Sequence, residues 1–119
     1  MNILVALMLA RTAAADPAAV PAVTYTVSSP LGTDGEAACV ALRKALHDAS
    51  AALGACFVTD RDPVSFRSVL KKSGTLQKVE GQTGPEATRT CVASVFGSVT
   101  VTDPLPWNTP LEIGIAPAE

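Results

Sequence analysis

The chain has 119 residues, 48% of them hydrophobic and 17% charged, with a formal charge of -2, which bounds it to one packed domain and excludes a disordered chain. Acidic and basic residues are interspersed, and the aromatics are only Tyr25, Phe57, Phe66, Phe96 and Trp107. There is thus neither a basic face to follow phosphates nor a stacking platform, nucleic acid is not an expected partner, and the core must be mostly Ala, Val and Leu.

The chain opens with an apolar run, Ile3 to Ala10, followed by Ala13-Ala14-Ala15. That pattern predicts a signal peptide over residues 1–15, cleaved before Asp16, and an exported protein, periplasmic or extracellular. Eight apolar residues fall short of the roughly twenty that span a bilayer, so no transmembrane helix is expected. Residues 16–32 read as a Pro/Ala linker with a short strand, since Val23 to Val27 alternates apolar and polar. The main domain then occupies residues 33–119.

Thr33 and Glu36 have the spacing of a capping box, and Cys39, Leu42, Leu46, Ala49, Leu53 and Cys56 follow at steps of three and four. A helix over about residues 34–55 is predicted. Asp60-Arg61-Asp62-Pro63 ends it. Val64, Phe66, Ser68 and Leu70 share one face of an extended segment, Lys72-Ser73-Gly74-Thr75 supplies a tight turn, and Leu76 to Glu80 returns as a hairpin strand. Thr83 and Glu86 repeat the capping spacing with Pro85 in the first turn, which predicts a second helix from about 85 to 97. After a Pro-rich loop, Leu111, Ile113 and Ile115 alternate with Glu112 and Gly114 as a last strand. Strand, helix, hairpin, helix, strand is an α+β order: a small antiparallel sheet with two helices packed on one face.

Ala55-Cys56-Phe57 at the end of the first helix, Gly74-x-Leu76-x-x-Val79 in the hairpin, and Pro85-Glu86-Ala87-x-x-x-Cys91-Val92 opening the second helix resemble the TonB C-terminal-like domains, in particular the myxobacterial AgmX/PglI C-terminal type. The resemblance spans residues 34 to 116. It implies a three-stranded antiparallel sheet with two helices on one face, binding of an extended peptide at the sheet edge formed by Leu111, Glu112, Ile113, Gly114 and Ile115, and a disulfide between Cys56 and Cys91. A second resemblance, to cystatin-like inhibitors of cysteine proteases, rests on Gly32, on Gln77-x-Val79-x-Gly81 and on Pro106-Trp107, which look like the three elements of that family's inhibitory wedge. In that family the Gln-x-Val-x-Gly sits at a hairpin tip and runs on into a strand, whereas here a helix start follows it.

By themselves the three cysteines imply one disulfide and one free thiol in an oxidising compartment. Cys39 and Cys56 on one straight helix would lie roughly 25 Å apart, so Cys91 belongs to the bridge, with either Cys39 or Cys56 as its partner; the TonB-like resemblance leaves Cys39 as the free thiol. A thiol enzyme or redox sensor would need a proton-accepting histidine beside its cysteine, and His47 is the sole histidine. No Cys-x-x-Cys or His pair marks a metal site, and the residues call for no cofactor. Trp107 reads either as an interface anchor or as a cap on one end of the core. Lys71, Lys72 and Lys78 read as a solvated face that discourages edge pairing. The expectation is a non-enzymatic module that binds a protein or peptide.

Overall fold

In the computed structural model, which describes residues 20–118, the predicted alternation marks three of the four strands, and the tight turn after the second sets the other. The predicted leader lies outside the described residues. Strand β1 is Val23–Ser28, β2 is Val64–Leu70, β3 is Leu76–Thr83 and β4 is Thr109–Pro117; helices α1, Glu36–Asp48, α2, Ser50–Ala55, and α3, Glu86–Phe96, connect them, with a 3-10 turn at Gly32–Gly35 before α1. The fold is α+β, with one four-stranded sheet in the order β1-β4-β2-β3 and every neighbouring pair antiparallel. Two antiparallel steps make β1 parallel to β2 with β4 inserted between them, and β3 parallel to β4 with β2 inserted. The chain is thus two interlocked split β-α-β units.

One face of the sheet carries the core. Val64, Phe66 and Leu70 on β2, and Leu111, Ile113 and Ile115 on β4, are buried against Leu42, Leu46, Leu53, Phe57, Val92 and Phe96. The row Val27, Ile113, Phe66 crosses three strands in register, and Phe66 meets Phe96 of α3 edge-on with ring centroids 5.1 Å apart, the arrangement that aromatic quadrupoles favour. The other face, with Thr24, Thr26, Ser28, Arg67 and Glu112, stays exposed.

Three local expectations differ. The strand assigned to a linker is paired with β4 along its whole length, so the sheet has four strands rather than the three that the TonB-like resemblance implied. The single first helix is broken at Ala49 (φ -97, ψ 9), where the chain bends from α1 into α2. With that bend Leu46 and Leu53 both stay fully buried. Neither capping box forms a side-chain cap. Thr33 falls inside the 3-10 turn, where its carbonyl, not its hydroxyl, accepts the Glu36 amide, and the Thr83 hydroxyl bonds Ser65 across the hairpin at 2.7 Å. The hairpin itself turns at the predicted glycine: Gly74 has φ +97, donates to the Lys71 carbonyl at 2.8 Å and accepts from Val101 at 2.8 Å. A side chain there would run into the Val101 carbonyl.

Candidate functional site

The segment expected to be the peptide-binding edge is not an edge. Strand β4, which holds Leu111, Glu112, Ile113, Gly114 and Ile115, lies between β1 and β2 and pairs with both. Its amides and carbonyls are therefore already used. Ala118 donates to the Ala22 carbonyl at 2.8 Å, which fixes the phase of the ladder: the even-numbered residues of β4 turn their backbone toward β1 and the odd-numbered ones toward β2. Pro110 then points its missing N–H past the end of β1, where its carbonyl accepts from the Ser29 hydroxyl at 2.8 Å. Pro117 points beyond the start of β2. An interior strand tolerates both because neither removes a ladder bond.

Among the described residues the sheet's edges are β1 and β3, and they differ. Strand β3 pairs with β2 through two irregularities, between Ser65 and Phe66 and between Arg67 and Val69. Lys78 within it has φ 55, the Ser68 hydroxyl donates to the Gln77 carbonyl at 2.8 Å, and Lys78 and Glu80 are exposed. Bulges and charges of this kind keep a second chain from pairing. Strand β1 carries none of them: its six pairs with β4 run without a break, and Val23-Thr24-Tyr25-Thr26-Val27-Ser28 contains no charge and no proline. The same ladder phase turns the N–H and C=O of Val23, Tyr25 and Val27 outward, away from β4. No described residue pairs with them.

Beside this edge lies a groove of about 540 Å³, walled by Val20, Val23 and Tyr25 on one side and by His47, Ser50 and Ala51 at the α1–α2 bend on the other. The Tyr25 hydroxyl and His47 Nδ1 are 3.2 Å apart across its floor. The preceding chain reaches β1 over α2, where only a glycine fits: a side chain at Gly54 would strike the Pro21 carbonyl. A separate polar hollow of about 280 Å³ on the exposed sheet face is bounded by Thr26, Ser65, Arg67, Gln82 and Glu112.

The remaining candidates are dispersed. Gln77, Val79 and Gly81 lie along the body of β3, while the hairpin tip is at Lys72 to Gly74. Trp107 is 46% exposed and donates its indole N–H to the Asp34 carbonyl at 3.2 Å, so Pro106-Trp107 rests on the 3-10 turn that contains Gly32. The three expected wedge elements do not line up, because the strand pairing carries Gln77 to Gly81 away from the tip. Cys56 and Cys91 form the disulfide, joining the end of α2 to α3 with Cα atoms 5.6 Å apart, and Cys39 is a buried free thiol. Burial pushes that thiol upward, with Arg43 opposing and Glu36 adding to the shift. His47 faces Tyr25, and Cys91 is consumed by the bridge. Among the described residues, no group of three or more His, Cys, Asp or Glu side chains is placed to hold a metal ion, and no helix is long and apolar enough to cross a membrane.

What the geometry defines is a small disulfide-linked α+β domain with one defended and one undefended sheet edge. Comparison with family models, with curated proteins and with solved structures gives no match. Neither resemblance drawn from the sequence gains support from them.

Proposed function

We propose that the protein is an exported, non-enzymatic interaction module that takes an extended peptide as a fifth strand along β1. The observation that carries this reading is the contrast between the edges: β3 has two bulges, a lysine in left-handed backbone and flanking charges, while β1 has an unbroken ladder and three outward-turned N–H and C=O pairs. A strand laid against β1 satisfies those groups, and its alternate side chains enter the groove beside Tyr25. Export is supported by the apolar run with its small-residue cleavage pattern and by the Cys56–Cys91 bridge, a bond that persists in oxidising compartments. A binding role is supported by the environment of the thiol: Cys39 is buried and held toward its protonated form, which is the unreactive one.

The test is titration with a dye-labelled peptide of alternating Val and Thr. Val23→Pro deletes one outward donor at the first residue of the strand, a position that tolerates proline, and removes no bond to β4. It should weaken binding about fivefold, the value of one net hydrogen bond. Unchanged affinity in Val23→Pro, combined with loss in Trp107→Ala, would move the site to the opposite end of the sheet.

A further inference from the structure

Strand β1 is complementary to itself, and we infer that its partner strand is β1 of a second copy of this chain, paired antiparallel across a two-fold axis at Tyr25. This rests on the reading of β1 as the pairing edge. The outward-turned residues are Val23, Tyr25 and Val27, all odd-numbered. An antiparallel copy centred on Tyr25 sets Val23 opposite the partner's Val27 and Tyr25 opposite the partner's Tyr25, so each outward N–H meets an outward C=O. The even positions fall into place with them, Thr24 opposite the partner's Thr26. Every cross-strand pair thus joins like surfaces: Val with Val and Tyr with Tyr on the helix side, Thr with Thr on the exposed face. These are pairings that stabilise a sheet.

Charge selects the occupant. A strand evolved for an acidic or basic partner would carry the opposite charge at its exposed positions, whereas Thr24, Thr26 and Ser28 are neutral and exposed. A neutral edge can meet its own copy without like charges coming into contact. The two-fold axis is perpendicular to the sheet, so the helices of both copies stand on the same face. Their grooves then meet across the seam, and Val20, 37% exposed in the single chain, gains a cover. The contact is isologous and closes at two copies: β1 is used up on both sides and β3 remains defended, giving an eight-stranded sheet that does not propagate.

Sedimentation equilibrium of the purified protein, with charge-reversed pairs at the exposed positions, tests this. Thr24→Lys/Thr26→Lys sets lysine against lysine across the seam while leaving the buried face untouched, and Thr24→Glu/Thr26→Glu does the same with carboxylates. The wild type should be a dimer, each double variant should dissociate with a constant raised about tenfold or more, and an equimolar mixture of the two variants should recover the dimer. A dimer that neither variant weakens would place the interface elsewhere and overturn the inference. A monomeric wild type would also overturn it, and amide exchange at Val23, Tyr25 and Val27 then sorts the cause. Exchange slowed by the Val/Thr peptide leaves peptide addition standing. Exchange already slow in the isolated monomer assigns the edge to a segment of the same chain. Fast exchange that the peptide does not alter removes the edge reading as well.

Discussion

Cys39 sits in the first turns of α1, 5% exposed, and its burial is the largest cause of its raised thiol pKa. The folded state therefore holds the proton more tightly than the unfolded chain, whose thiol titrates near 8.5. The stabilisation is fully present below that value and is lost as pH rises through the higher native one. Denaturant melts should show the wild type losing stability above about pH 9 more steeply than Cys39→Ala, and alkylation at neutral pH should be slow until the chain is unfolded. Parallel pH dependence in the two proteins, or rapid alkylation, would contradict the buried assignment. That a cysteine on the apolar stripe would be buried was legible in the sequence, because a 3.6-residue period names the core face. What Thr33 and Thr83 would do was not. A hydroxyl three residues ahead of a glutamate caps a helix only if the backbone between them is helical, and here one threonine is within a 3-10 turn and the other ends a strand.

At the scale of elements, the disulfide joins the end of α2 to α3. Its ends are 35 residues apart in sequence. In the chain-entropy account, a loop of that size stabilises the fold by about 4 kcal/mol, a large part of what so small a domain has. Reduction, or Cys56→Ala/Cys91→Ala, should lower the unfolding free energy by about that amount in urea melts; unchanged melts in reductant would show that the bridge is not present. Cys56 ends the short helix that follows the bend at Ala49, a bend that no residue type advertises. An alanine within an alanine-rich helical stripe gives no stop signal, and Leu46 and Leu53, seven residues apart on the same apolar face, are buried on either side of the bend. Strands were easier to read. Alternation over Val23 to Val27, Val64 to Leu70 and Leu111 to Ile115 marked each one and its buried side, since the period-two pattern follows from which face the core covers.

For the molecule as a whole, the order of the strands is the property that matters, and it is the one that alternation does not encode. Residues 111–115 read the same whether the strand is central or peripheral, and the edge assignment came only from the TonB-like resemblance. Only the ladder phase shows Pro110 and Pro117 lying where no bond is lost. Strand β1, adjoining the Pro/Ala stretch, gave no sign that it would border the sheet, yet its lack of charge and bulge distinguishes it from β3 once the order is known. The reading of this protein as a strand-accepting module stands on that border. Residue-resolved amide exchange in β1 tests it most directly, because neighbouring residues serve as controls: Thr24 and Thr26 are bonded to β4 whatever happens outside, while Val23, Tyr25 and Val27 are not. In dilute protein the three odd-numbered amides should exchange fast and the two threonines slowly, and an added Val/Thr peptide should slow all three without changing the threonines. At dilutions where the chain is monomeric, equal protection of odd and even amides before any peptide is added, or a peptide effect confined to β3, would contradict the account.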